Sequence, residues 1–345
     1  MAKKKNNIFK VLAALLLLVI IFIGFKLVGP AVRAPEKGYL YIKTGSNMTD
    51  LKNQIANEKI LSGLFWFNKV SGFLDFTQTK PGRYKIKNGM SVLSLVRMLR
   101  NGQQSPVSFV VTKIRTREQL AGRIGNAFEC DSLSVISFLN NNDSLQQYNL
   151  DSNTIMSAVL PLTYESKWSI KPRQLFDRFY DAYQQFWTDE RKQKAAARNL
   201  TPSQIATIAS IVDEETNAKA EMGNIASVYM NRMAKGMPLQ ADPTIKFALK
   251  DFGIKRVLLK HLEVRSPYNT YRNKGLPPSP ICTPQLGTID SVLNAPQTDY
   301  IYFVASTNFD GTHVFSSNYN DHLKYAKAYQ AELNKRFPAL PANNP

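Results

Sequence analysis

This 345-residue chain is poor in cysteine and histidine, and its acidic side chains are few beside its basic ones. Its two cysteines, Cys130 and Cys282, stand far apart with no metal-ligand spacing. They read as two buried or idle thiols rather than a disulfide framework, with a single bridge left open for an oxidising compartment. Three histidines without ligand spacing supply no metal site. Acids number 26 against 44 lysines and arginines, giving a formal charge of +18. That excess attracts polyanions, so nucleic acid, anionic lipid and acidic wall polymers are the partner classes to weigh. The basic residues are scattered and the aromatics form no stacking platform, so a specific nucleic-acid module is not present. No fixed-period repeat occurs, and 44% hydrophobic with 20% charged residues is a globular composition.

One long apolar run is present. Residues 11–25 are unbroken by charge, and Leu27 and Val28 extend the run past Lys26, whose ammonium can snorkel to an interface. Lys3, Lys4, Lys5 and Lys10 precede it, so the positive-inside rule puts the N-terminus in the cytoplasm and everything from about Arg33 outside. A cleaved signal peptide is the rival reading; Pro30 and Arg33 spoil the small-x-small cleavage site, which favours an uncleaved single-pass anchor in the inner (cytoplasmic) membrane, with the rest periplasmic or extracytoplasmic. The first 33 residues hold six basic residues and no acid, so the exported part keeps +12 of the +18.

The segmentation follows from pattern. Residues 1–10 form a cytoplasmic tail, 11–32 a transmembrane helix and 34–38 a short linker. Residues 39–43 alternate like a strand, and a helix carrying Leu51 and Ile55 follows the turn at Gly45. Residues 80–86 form another strand, Ser91 caps a helix over 92–99 that ends at Gly102, and 109–112 extend again. The spacing over 37–110 resembles a LysM-like α/β module, a small glycan-recognition unit. From 111 to 200 the pattern is mainly helical, with 159–165 read as a loop and a long amphipathic helix opening at Pro172 and running through Trp187. Residues 201–336 make a last α+β domain, and 337–345 a disordered tail. The fold class is α+β.

The chemistry concentrates in Ala-Ser-Ile-Val-Asp-Glu-Glu-Thr over 209–216. Thr201-Pro202 caps a helix with Ile205, Ile208, Ala209 and Val212 on its buried stripe, which delivers Asp213, Glu214 and Glu215 at the C-terminal end. There the negative end of the helix dipole raises carboxyl pKa values, as a general acid requires. A solvated acidic helix end is the plain alternative. A second helix over 220–234 presents Ile225, Val228, Tyr229 and Met233, and carries Asn231 and Arg232 near its end. Gln240 and Asp242 follow in a turn over 239–244, Tyr268, Asn269 and Tyr271 sit in an aromatic and amide loop, and His313 opens a β segment after the strand at 300–304.

In this order Ala-Ser-Ile-Val-x-x-Glu-Thr, Asn-Arg, Leu-Gln-x-Asp-Pro-Thr, Tyr-Asn-Thr-Tyr, Gly-Leu-Pro-Pro, Tyr-Phe-Val and His-x-Phe closely resemble the endolytic murein transglycosylases of the MltG (YceG-like) family. The likeness covers about 201–335 and thins between about 105 and 165, where Val-Thr-Lys-Ile-Arg at 111–115 stands in place of a Pro-Glu-Gly turn. The resemblance implies that Glu215 is the catalytic acid/base, with Asp213 and Glu214 flanking. It implies that Asn231, Arg232, Gln240, Asp242, Tyr268, Asn269, Tyr271 and His313 are substrate-binding cleft residues. No cofactor is required. The substrate would be a peptidoglycan glycan strand cut at MurNAc-β-1,4-GlcNAc bonds to leave 1,6-anhydroMurNAc ends, with the bilayer as second partner and peptidoglycan synthases as candidate third ones.

Two rival readings remain open. A membrane-anchored wall-binding scaffold without turnover would keep its cellular role with Glu215→Gln. A hydrolytic muramidase would need a second carboxylate, for which Asp242 is the best candidate, although the following Pro243 favours a turn role.

Overall fold

A computed structural model describes the backbone of residues 2–337 and side chains from Ile8 onward. Of the expected tail at 337–345, residues 338–345 lie outside the described residues, and Phe337 is bonded through its amide to Leu333 O. The chain divides into two compact units: residues 1–109 with 127–130 and 165–171, and the remainder.

The first unit begins with α1 (Ala2–Val28), of which Ile8–Val28 is long and apolar enough to cross a membrane. No flexible linker follows it. The amides of Ala31 and Val32 donate to Met90 O at 3.1 and 2.9 Å, Arg33 N donates to Ile60 O at 2.8 Å, and Val32 is buried. The expected linker at 34–38 is therefore folded against the unit, because Ala34 N is bonded to Asn88 Oδ1 and Ile86 N to Gly38 O.

Next come β1 (Tyr39–Ile42), α2 (Met48–Asn57), α3 (Phe65–Phe73), β2 (Gly82–Lys85), α4 (Val92–Asn101) and β3 (Val107–Val110). Strands β1 and β2 pair antiparallel, Tyr39 opposite Lys85 and Ile42 opposite Gly82. Local chemistry explains the helix ends. Asn47 and Asp50 form a capping box on α2, Ser91 caps α4, and Gly102 closes α4 at φ 67, a left-handed conformation that costs a residue without Cβ least. Leu51 and Ile55 of α2, Phe67 and Val70 of α3, and Leu95, Val96 and Leu99 of α4 close one core with Leu40, Ile42 and Tyr84. Each fully buried aliphatic side chain there contributes about 1.5–3 kcal/mol. Helix α3 escapes a periodicity reading because Phe-Trp-Phe opens it, placing apolar groups on every side.

The second unit holds α5 (Arg117–Ala127), α6 (Ser132–Asn140), α7 (Asn142–Leu145), β4 (Thr163–Ser166), α8 (Pro172–Phe186), α9 (Asp189–Ala196), α10 (Pro202–Glu215), α11 (Met222–Ala234), α12 (Asp242–Leu249), α13 (Leu286–Leu293), β5 (Tyr302–Ala305), β6 (His313–Ser316) and α14 (Tyr319–Arg336), apart from the few residues of α5 and β4 assigned to the first. Four elements differ from the sequence expectation. The stretch at 159–165 ends in strand β4, not wholly in loop. The long helix from Pro172 stops at Phe186, since Thr188 caps a new one. The turn at 239–244 runs into a helix, because Asp242-Pro243 occupies its first turn, where a proline lacks no needed donor. Helix α13, unassigned by pattern, packs on both α10 and α11.

Helix α10 is the axis of this unit. Every residue from Ile205 to Asp213 is buried, and Ile205, Ile208, Ala209 and Val212 meet Ile225, Ala226 and Tyr229 of α11 and Ile289 and Val292 of α13 in one core. The antiparallel pair β5–β6, with Tyr302 opposite Ser316 and Ala305 opposite His313, packs through β5 onto α11 and is covered by α14.

Candidate active site

Three consecutive carboxylates leave the end of α10, and each meets a different environment. Asp213 is buried; its Oδ2 accepts the Gln285 amide at 2.7 Å and its Oδ1 the Thr288 hydroxyl, which ties α10 to α13. Burial raises its pKa, against the pull of those two hydrogen bonds. Glu214 is neutralised by cations, with Arg115 Nη2 at 3.0 Å and Lys113 Nζ at 3.2 Å. Both partners come from 111–115, the stretch where the family likeness thins.

Glu215 meets a neutral donor. The Tyr229 hydroxyl, one helix away and itself buried, donates to Glu215 Oε1 at 2.6 Å. Burial pushes the Glu215 carboxyl up to about 7; the Tyr229 hydrogen bond opposes this, the negative charge of Asp242 adds to it, and Lys246 opposes it. At neutral pH such a group is divided between its two protonation states, the condition for donating a proton in one step and accepting one in the next.

Glu221, buried like Asp213, is an acid that pattern alone did not single out. Glu221 Oε1 accepts from the Thr216 hydroxyl at 2.6 Å and lies 2.7 Å from His313 Nδ1, while its Oε2 accepts the His313 amide at 2.8 Å. Thr216 caps α10, and its Oγ1 takes the Ala218 amide at 3.0 Å. His313 is thus tied through Glu221 to the residue that follows Glu215; it holds the helix end and strand β6 together.

The remaining residues separate into two groups. Asp242 and Gln240 are exposed; Asp242 Oδ1 accepts the Tyr271 hydroxyl at 2.5 Å, and Gln240 stands at φ 55 with its amide on Thr270 O. Tyr268 packs tilted against Phe247, at 4.6 Å between ring centres, and shares a hydrogen bond with Ser279 at 2.6 Å. Asn231, Arg232 and Asn269, by contrast, spend their polar atoms on the backbone. Asn231 Nδ2 donates to Thr298 O and Tyr300 O at 2.9 Å each, and Asn269 Nδ2 to Leu262 O and Val264 O at 2.9 and 2.8 Å. Arg232 is buried and donates to Ile301 O and Leu239 O, both at 2.7 Å, with a longer contact to Gln240 Oε1 at 3.3 Å. These bonds make the three residues clamps: Asn231 and Arg232 hold residues 298–301, Arg232 also holds Leu239, and Asn269 holds residues 262–264. Loop clamping and ligand contact need the same donors, so polarity alone does not separate the two jobs.

Tyr229 had a signal that pattern reading passed over. A phenol within an otherwise buried helical stripe needs an acceptor, and an acid fourteen residues earlier supplies it. Among the described residues no cluster of three or more His, Cys, Asp or Glu side chains could hold a metal ion.

The family profile that matches this arrangement is that of the YceG-like family, over residues 40–328. The chain belongs to the YceG-like family. It is similar to an endolytic murein transglycosylase of Bacillus subtilis, 28% identical over an alignment of 305 residues, with 82% of this chain and 80% of the relative covered. It is also 26% identical over 317 residues to one of Streptococcus pneumoniae D39, covering 81% of this chain but 56% of that longer relative. Among solved structures, a YceG-like protein from Listeria monocytogenes matches 83% of this chain and 98% of its own, with a TM-score of 0.56 at 25% identity.

Proposed function

We propose that this YceG-like chain is an endolytic peptidoglycan lytic transglycosylase, and that Glu215 is its acid/base. The observation that carries the reading is a carboxyl lifted to about 7 and oriented by the Tyr229 hydroxyl, at the position that the family's Glu-Thr motif marks. The name shared by the Bacillus and pneumococcal relatives gives the substrate class.

In the proposed reaction, protonated Glu215 gives its proton to the glycosidic oxygen of a MurNAc-β-1,4-GlcNAc bond as the C1–O bond breaks. The resulting carboxylate takes the proton of the MurNAc C6 hydroxyl while that oxygen bonds to C1, closing a 1,6-anhydro ring and restoring the acid. One carboxyl serves both steps because the substrate provides the nucleophile; a hydrolytic pair is not required. Gln240, Asp242, Tyr268 and Tyr271 are the groups best placed to meet the glycan, being exposed or partly exposed and not committed, as Asn231 and His313 are, to holding backbone or a buried acid. Helix α1 anchors the chain with its N-terminus in the cytoplasm, the rest facing the wall, within reach of membrane-bound synthases.

The test is mass spectrometry of muropeptides released from purified peptidoglycan by the full chain in detergent, beside Glu215→Gln. Internal fragments ending in 1,6-anhydroMurNAc, lost in the variant, are expected. Reducing ends would instead make the enzyme a hydrolase and turn attention to Asp242, and binding without release would make it a scaffold.

A further inference from the structure

The first unit carries an apolar surface that its own core does not use. Helix α3 buries Phe67 and Val70 inward but leaves Phe65 63% and Phe73 86% exposed. These two rings, with Ile23 and Leu27 of α1, line a groove of about 410 Å³, and Lys69 and Arg97 stand among its walls. Aromatic groups exposed to that degree beside an open apolar groove mark a binding face.

Its position says what covers it. Helix α1 enters the unit without slack, because Leu27 packs against the core and the amides of residues 31–33 are bonded within the unit. At about 1.5 Å per residue the 21 residues Ile8–Val28 extend about 30 Å, the thickness of a hydrocarbon layer. Val28 therefore falls at one boundary of that layer, and Ile23, about a turn and a half earlier, lies inside it. A groove walled by Ile23 and Leu27 cannot be filled by water if α1 spans the membrane.

We propose that this groove is a phospholipid site: an acyl chain of the leaflet from which the end of α1 emerges lies against Ile23, Leu27, Phe65 and Phe73, with the lipid phosphate at Lys69 and Arg97. Helix α3 is then an interfacial helix that holds the first unit against the bilayer, apolar on both sides because one meets the core and the other the lipid. The inference rests on the reading of α1 as a membrane span.

The test uses the full chain with Phe73→Trp, a substitution at an exposed ring, reconstituted in phosphatidylcholine–phosphatidylglycerol vesicles, with the unsubstituted chain as background. Lipids brominated at acyl carbons 6 and 7 are expected to quench the added emission about twofold, and Lys69→Glu with Arg97→Glu to reverse much of that quenching. If the chain stays with the vesicles through a carbonate wash and the added tryptophan emits unquenched at a water-exposed wavelength, the lipid site is overturned while the anchor stands. Blue-shifted but unquenched emission would overturn it in favour of a protein, a second copy included. Loss of the chain in the wash would overturn the anchor and the site with it. Quenching that survives both charge reversals would overturn the phosphate contact.

Discussion

Among the described residues, the buried polar side chains of the first unit are three serines, Ser71, Ser91 and Ser166, whereas the unit that carries Glu215 buries Asp213, Glu221, Arg232 and Asn269 along with several threonines. An apolar core gains its free energy from area removed from water, which is non-directional, so many side-chain choices would close it. A core with buried charges is held to one geometry, because each donor or acceptor left without its partner costs about 1–3 kcal/mol. The difference separates a unit that has to be folded from one that has to be folded in one way. It also predicts where substitutions of equal stability cost have unequal effects on turnover.

The largest expected effect is at Glu215. Glu215→Gln keeps an acceptor for Tyr229 but cannot exchange a proton, and it should lower anhydro-product formation at least about a hundredfold, measured as rate of fragment release. Its effect on stability runs the other way. A carboxyl whose pKa rises from 4.5 to about 7 on folding binds more protons in the folded state between those values. That group's contribution falls as pH rises through the interval and stays low above it. Thermal melts should therefore show Glu215→Gln above the wild type at pH 8, with the gain shrinking towards pH 4.5.

A matched pair of substitutions tests the comparison itself. Leu95→Ala, in the core of the first unit, should cost about 2–5 kcal/mol by cavity formation and leave the turnover number of the folded fraction unchanged. Glu221→Ala strands the Thr216 hydroxyl and the His313 amide, a cost of about 2–5 kcal/mol for two buried groups. It should also reduce the turnover number, with a smaller change in KM, because Thr216 fixes the end of α10. Equal losses of turnover in both variants at matched folded fraction would remove the distinction between the units.

The pH profile sharpens the same point at smaller amplitude. Activity should fall above about pH 7 with the slope of one proton, as Glu215 loses the form that starts the reaction. Asp242 raises the Glu215 pKa and Lys246 lowers it, so Asp242→Asn should move this limb to lower pH and Lys246→Ala to higher pH. Shifts in the same direction would show that the limb belongs to another group.

How much of this was legible in the sequence follows from the reach of each interaction. Thr201-Pro202 and Ser91 mark their helix starts because caps are made within three residues. The stripe of Ile205, Ile208, Ala209 and Val212 marks the buried face for the same local reason. Glu215 could be picked from Asp213 and Glu214 only through the family motif, since what distinguishes the three is assembled from afar: Thr288 and Gln285 for Asp213, Lys113 and Arg115 for Glu214, Tyr229 for Glu215. The backbone clamping by Asn231, Arg232 and Asn269 was not legible, because loop clamps and ligand contacts use one vocabulary of side chains. Helix α3 was hidden because its second apolar face erased the period.

The smallest expected effect lies inside the serine-only core. Ser71 Oγ, on α3, is buried without a hydrogen-bond partner among the described residues. In a core that specifies no polar geometry, such a hydroxyl adds a desolvation cost and orients nothing, so Ser71→Ala should raise stability by up to about 1 kcal/mol, read as a higher denaturant midpoint at unchanged slope. The corresponding change in the second unit, Thr288→Ala, removes the hydroxyl that Asp213 accepts and should lower stability. If Ser71→Ala were destabilising and slowed turnover, the first unit too would depend on a buried polar contact, and the contrast between a core that fills space and a core that fixes an acid would fail at its weakest point.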